Sequence, residues 1–312
     1  MKNKIKQLPV PRFRIPLFLI LFASCIFPVM SEAQPIQKIY KLAMVQMKVE
    51  AGKPEVNLAR AAQRIAEAAK NGAKIALLPE AMDLGWTDPS AKTKAYAIPS
   101  GPTCQSLIRA AVKNKIYVCA GIIEKDEERT YNAAVLVDPA GKVLLKHRKI
   151  NELDIAHDLY ATGEGLQVAH TPIGTLGLYI CADATAKGNT LSNSLAYMGA
   201  DMIISPCAWA VPPDFDNQKT PYGDTWRNVY RPVSTQFDLW VVGVSNVGRI
   251  EAGPWKDWDC IGSSLVYAPG GKEVLQAPFG ANADTIIYVD IALTDRPARG
   301  TKWNTYWQNK QN

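Results

Sequence analysis

Residues 42 to 80 read LAMVQMKVEAGKPEVNLARAAQRIAEAAKNGAKIALLPE, and the hydrophobic pattern changes twice inside that stretch. Leu42 to Val49 is strand-like. From Val56 onward the apolar positions Ala59, Ala62, Ile65, Ala66 and Ala69 recur at the three-to-four spacing of an amphipathic helix, which Asn71-Gly72 then stops. Lys74 to Pro79 is a short buried strand that runs directly into an acidic residue, Glu80. A β-α-β unit of this kind lays two strands parallel, and α/β proteins place chemistry at the carboxyl ends of such strands.

The same alternation continues downstream. Cys104 to Lys113 reads as helix and Ile116 to Ile123 as a β-branched strand, while Tyr131 to Val137 and Lys142 to Lys149 form a hairpin about Asp138-Pro139-Ala140-Gly141. Thr175 to Cys181 is another buried strand, Thr190 to Met198 a helix, Met202 to Pro206 a strand, and Trp226 to Asp238 a helix interrupted at Pro232. Leu239 to Asn246, a second hairpin of Gly262 to Tyr267 with Lys272 to Gln276, and Thr285 to Ile291 complete the series. Helices alternating with strands and hairpins predict two mixed sheets covered by helices.

The composition sets bounds on what such a chain does. It has 312 residues, 47% hydrophobic and 21% charged, a globular mixture that excludes disorder and a disulfide miniprotein. The formal charge is +6. Lys2, Lys4, Lys6, Arg12 and Arg14 supply much of it and precede the apolar run Ile15 to Met30 and the small-residue stretch Ser31-Glu32-Ala33, the layout of a secretory signal. That run is shorter than the roughly 20 residues a membrane helix needs and contains Pro16 and Pro28. Residues 1–33 are therefore expected to direct export to the periplasm or beyond, and 34–312 to form one domain. A second reading of Phe22-Ala23-Ser24-Cys25 is a lipoprotein box, with Cys25 lipidated and tethering the protein to a membrane. Without the five basic residues and Glu32 the remaining charge is +2, too little to attract nucleic acid.

Of the six cysteines, Cys104, Cys119, Cys181, Cys207 and Cys260 lie beyond the signal, an odd number that leaves at least one thiol unpaired. No CxxC occurs, and His147, His157 and His170 have no zinc-ligand spacing, so a dedicated zinc site is not expected. Three residues stand at strand ends with reactive side chains. Cys181 closes Gly177-Leu178-Tyr179-Ile180-Cys181-Ala182-Asp183, where backbone N–H groups at the start of a turn lower a thiol pKa and hold a developing oxyanion. Glu80 follows an apolar run, which desolvates its carboxylate and suits it to proton transfer. Lys149 lies in Lys146-His147-Arg148-Lys149-Ile150. Read singly, each has an ordinary structural alternative: a packed thiol, a loop carboxylate and a solvated strand end.

Taken in order, the three resemble the signature of the nitrilase superfamily, the carbon–nitrogen hydrolases. Leu77-Leu78-Pro79-Glu80 looks like the first motif of that family, Lys146 to Ile150 like the second, and Gly177 to Asp183 like the third. Tyr131-Asn132-Ala133-Ala134, Gly199 to Ile204 with Pro206 and Trp209, and Gly262-Ser263-Ser264 add support. The resemblance runs from Leu42 to about Ile291 and implies a four-layer αββα sandwich. It implies that Cys181 attacks an amide-type carbon to form a thioester, Glu80 acts as base and then acid, and Lys149 holds the oxyanion with the N–H of Ala182. The expected substrate is a small amide or N-carbamoyl compound, the implied mechanism needs no cofactor or metal, and the expected assembly is a homo-oligomer.

Two stretches depart from the pattern. Where relatives carry a second glutamate, counting back from Tyr160 and Gly163 lands on His157, with Glu152, Asp154, Asp158 and Glu164 as neighbouring alternatives. After the cysteine, Ala184 to Asn189 replaces the usual arginine-phenylalanine-proline-glutamate pattern. Trp209 is read as a pocket wall, Cys207 as packing, and Trp255, Trp258 and Cys260 as an aromatic loop that caps the pocket or meets another subunit. Asp183 is read as fixing the turn around Cys181. Cys-Ala-Asp favours an amide over a nitrile, the other readings being nitrile hydrolysis, N-acyl transfer and a non-catalytic binding or sensor module.

Overall fold

The computed structural model describes residues 39–293. The expected export signal over 1–33 and a lipid on Cys25 lie outside the described residues. Strand β1 (Ile39–Gln46) shows how the layers arise. Its side chains alternate faces, so Leu42 and Met44 enter one apolar core while Ala43 and Val45 enter another.

The first sheet joins β1 to β2 (Ala73–Leu77), β3 (Tyr117–Asp126), β4 (Arg129–Val137) and β5 (Val143–Arg148), with the late strand β15 (Thr285–Ala292) on the other edge of β1. β1, β2 and β3 run parallel, and their neighbours are antiparallel. The second sheet repeats that plan. β7 (Gly174–Leu178), β8 (Met202–Cys207) and β10 (Trp240–Ser245) are parallel, with β6 (Val168–Thr171) on one flank and β13 (Leu265–Ala268) and β14 (Lys272–Gln276) on the other. A small third sheet joins β9 (Ala210–Val211), β11 (Val247–Arg249) and β12 (Asp259–Ile261).

Helices α1 (Pro54–Lys70) and α3 (Pro102–Asn114) cover the outer face of the first sheet, burying Ala61, Ile65, Ala68, Leu107 and Ala111 against Ala43 and Val45; a short helix, α2 (Ala91–Lys94), lies between them in the chain. On the second sheet, α4 (Thr190–Tyr197) and α5 (Asp224–Phe237) bury Leu195, Ala196, Tyr230 and Val233. The inner faces meet through Leu42, Met44, Ile75 and Leu77 against residues such as Leu178 and Ile204. The result is the αββα sandwich of two mixed sheets expected from the sequence. Leu77 is fully buried between layers, so truncating it to alanine would cost about 2–5 kcal/mol.

The expected break at Pro232 does not occur, since α5 continues through it. Pro232 and Asn228, whose carbonyl loses the proline's missing N–H, are both exposed, so water can serve that carbonyl. Strands β6, β9, β11 and β12 are two to four residues long, too short to show a period in the sequence.

Candidate active site

The site forms where the parallel strands of both sheets end. Beyond β2, Leu78-Pro79 carry the chain to Glu80. The Leu78 N–H donates to Cys119 O (2.8 Å), the Gly121 N–H to Pro79 O (2.9 Å) and the Glu80 N–H to Cys207 O (3.1 Å), so this loop is tied to β3 in its own sheet and to β8 in the other. The approach to β3 requires a glycine there. A Cβ on Gly121 would lie 2.5 Å from the Cα of Glu80. The next residue, Ala81, has φ +45°, a left-handed conformation that costs a non-glycine residue roughly 1–2 kcal/mol and turns the chain away beneath the carboxylate.

Lys149 comes next after β5, where its N–H extends the ladder to Asn132 O (2.8 Å). Its ammonium is 2% exposed and lies 2.8 Å from Glu80 Oε1 and 2.9 Å from Glu152 Oε1. Asn132 on β4 binds both carboxylates through its amide Nδ2, at 2.6 Å to Glu80 Oε1 and 2.9 Å to Glu152 Oε2. The Leu153 N–H completes the set on Glu152 Oε1 at 3.0 Å. Burial alone would push the Lys149 ammonium down, but the two carboxylates outweigh it and hold its pKa well above the ordinary lysine value. Burial raises Glu80, and Glu152 adds to the rise against the pull of Lys149 and Asn132. Both donors converge on Oε1 of Glu80, and neither uses Oε2.

Cys181 opens a 3-10 helix, Cys181–Thr185, just beyond β7, with φ +45° at the cysteine itself. Asp183 holds this turn. Its Oδ2 accepts from the Ile180 N–H (2.9 Å) and bonds His147 Nε2 (2.8 Å), while its Oδ1 accepts from the N–H groups of Ile150 (3.0 Å) and Asn151 (2.7 Å). One carboxylate thus fastens the loop after Lys149 to the loop bearing Cys181, the structural part expected of Asp183. Burial works against its ionised form, but the His147 and backbone bonds prevail and hold its pKa below the usual carboxylate value. The Cys181 N–H donates to Ser205 Oγ (3.1 Å), and Ser205 Oγ lies 3.3 Å from Cys207 Sγ.

The thiol differs from its sequence expectation. Burial pushes the Cys181 pKa well up, and Cys207 and the Glu80 carboxylate push it further, with Lys149 pulling the other way. At neutral pH the sulfur is a protonated thiol that needs a base. Cys104, Cys119, Cys207 and Cys260 are also buried free thiols.

Glu80, Lys149 and Cys181 line one pocket of about 660 Å³, its open mouth included. Ala182 and Trp209 also line it, and Ala182 is the second residue of the 3-10 turn, where an N–H has no acceptor within the helix. His157 does not reach the pocket. The chain after Glu152 turns through a short helix, Asp154–Ala156, that puts Ala156 and Tyr160 inside and leaves His157 exposed, its N–H on Asp154 O (3.2 Å). The carboxylate beside Lys149 is Glu152. The aromatic-glycine landmark has its own structural cause: Gly163 packs so closely that a Cβ there would lie 2.0 Å from Arg148 O, and the Tyr160 hydroxyl accepts from the Thr87 N–H at 3.1 Å.

Aromatic rings make up the rest of the wall. Trp209 stacks on Trp226 with centroids 4.6 Å apart and lies 6.2 Å from Tyr222, while Trp86 meets Trp255 at 4.8 Å. Trp255 in turn stacks on Trp258 at 4.5 Å, which makes the 255–258 loop part of the pocket wall of this same chain. Sequence reasoning missed Trp86 and Tyr222, which lie in segments without a recognisable pattern, and Trp226, which was read only as the start of a helix. It quoted Asn132 only as a matching residue, although a polar residue inside an otherwise apolar strand was a readable signal. Among the described residues no group of three or more His, Cys, Asp or Glu side chains is arranged to hold a metal ion.

Comparison with known proteins agrees with this geometry. A family model described as carbon-nitrogen hydrolase matches residues 41–298. The chain is 30% identical over 264 residues to an omega-amidase NIT2 from Bos taurus, covering 81% of this chain and 89% of that one. It is similar to the crystal structure of Nit3 from Saccharomyces cerevisiae, a member of branch 10 of the nitrilase superfamily, at TM-score 0.68 and 26% identity over 82% of this chain and 90% of the other. An amidase from Nesterenkonia sp. shares the fold at TM-score 0.68 and 19% identity, covering 81% and 90% of the two chains.

Proposed function

Since the chain belongs to the carbon-nitrogen hydrolase family, we propose that it hydrolyses a small amide through a thioester on Cys181, with Glu80 as base and acid and Lys149 as oxyanion holder. The observation that carries the reading is the convergence of the three side chains on one pocket, with Lys149 Nζ 2.8 Å from Glu80 Oε1. The amidase relatives agree with an amide substrate.

The chemistry follows from the bonding. Glu80 Oε2 takes the proton from the Cys181 thiol, which does not ionise unaided, and the sulfur attacks the amide carbon. A lysine ammonium has three N–H groups, and two are committed to Glu80 and Glu152, so the third serves the oxyanion together with the Ala182 N–H. Glu80 then returns its proton to the nitrogen, the C–N bond breaks, and ammonia or an amine leaves. A water attacks the thioester with Glu80 again as base, the carboxylic acid departs, and the thiol is restored. Glu152 accepts from Lys149, Asn132 and Leu153 and has the part of positioning the lysine rather than moving protons.

The test is to trap the intermediate. Acid-quenched enzyme mixed with a turning-over amide should gain the mass of the acyl group on the peptide containing Cys181. Steady ammonia release by the Cys181→Ala variant would overturn the mechanism.

A further inference from the structure

The walls around the reacting groups carry information about the acyl side of the substrate. Lys149 is the one cation among the lining residues, and two carboxylates already hold it. A substrate carboxylate entering here would find no free positive partner and would face Glu80. The remaining surface is dominated by the rings of Trp86, Trp209, Tyr222, Trp226 and Trp255, with Thr185 and Thr225 as hydroxyl-bearing neighbours. Flat faces of this kind favour flat apolar partners through offset and edge-on stacking.

Charge and size narrow the choice. A cationic substrate would bring its charge against the Lys149 ammonium in the same wall. The space enclosed by the pocket is about 250 Å³, slightly under the usual range of small-molecule sites, and admits a single ring as the acyl group.

Resting on the amidase reading above, we propose that the substrate is a neutral amide whose acyl group is an aromatic or heteroaromatic ring, in preference to an aliphatic, acidic or cationic amide. Trp226, stacked on Trp209, is the residue that sets this preference.

The test uses the full chain and four primary amides: benzamide, acetamide, succinamate and glycinamide. Ammonia release should give benzamide a kcat/KM at least about 100-fold above the other three. Trp226→Leu should reduce the benzamide-to-acetamide ratio about tenfold, mainly through KM, and Trp226→Phe should restore most of it. In the Cys181→Ala variant, intrinsic tryptophan fluorescence should respond saturably to benzamide and not to succinamate. Turnover that favours acetamide, succinamate or glycinamide would overturn the substrate class while leaving the hydrolase reading intact. No turnover of any amide, with saturable benzamide binding, would overturn the hydrolase reading and keep the ring preference. Neither turnover nor binding would sink both.

Discussion

The two sheets end in unlike loops around the same pocket. The first sheet delivers Glu80, Asn132, Lys149 and Glu152, a set of charges and amides in which the partners sit 2.6 to 2.9 Å apart. The second delivers Cys181, Ala182 and Trp209, a sulfur on a left-handed backbone turn beside stacked rings. Polar atoms position each other through directional bonds, so the first half needs no backbone strain at Lys149 or Glu152. A sulfur makes only weak bonds, so its position is set by the backbone instead. This divides the labour: the ionic half fixes where charge develops, and the soft half fixes the nucleophile and which acyl group fits.

That division can be broken at its strongest point. Cys181→Ala removes the nucleophile and leaves the ionic cluster alone, so kcat for ammonia release should fall by about four to six powers of ten while the thermal unfolding midpoint moves little. Retained activity would erase the distinction between the halves. Lys149→Met should damage both rate and stability, because it leaves two buried carboxylates without their cation; urea unfolding should show a loss of about 3–5 kcal/mol.

Asp83 sharpens the contrast from within the first half. It is a buried carboxylate beneath the Glu80 loop with only backbone donors, the Ile123 N–H at 3.2 Å among them, and burial raises its pKa to about 7. A carboxyl that binds its proton more tightly when folded makes stability fall as pH rises from its unfolded pKa near 4 to the folded value of about 7. Asp83→Asn should lift that penalty, so the variant should gain on the wild type between pH 5 and 8 by roughly 2–4 kcal/mol in urea unfolding.

The smallest effect belongs to Glu152. Glu152→Gln keeps an acceptor for Lys149 but loosens its aim, and kcat should drop about 10- to 100-fold with little change in KM. Because the Glu152 charge helps raise Glu80, the acid limb of kcat/KM, which should lie above the ordinary glutamate range in the wild type, should move to lower pH in this variant. A purely structural glutamate would leave that limb in place.

The layers were legible because β1 is a nearly continuous apolar run that buries both faces while the helical spacing over 54–70 buries one, and the sequence pattern carries that directly. The reactive residues were legible because their three motifs, taken in order, resemble those of one family; read singly, each had an ordinary structural alternative. Glu152 was harder to find, since it sits in a loop where spacing has no period and the count back from Tyr160 and Gly163 landed on His157. Most of the ring wall was invisible for a related reason. Trp86, Trp209 and the pair Tyr222 and Trp226 come from separate stretches of the chain and meet only after both sheets have formed.

The shared fastening at Asp183 has a mechanical consequence. With His147 and three backbone N–H groups bound to a single side chain, the lysine loop and the cysteine loop move as one rigid piece. Drift that misaligns one drags the other along. The same bonds that lower its pKa keep the carboxylate ionised, and so keep that joint closed, as acidity increases.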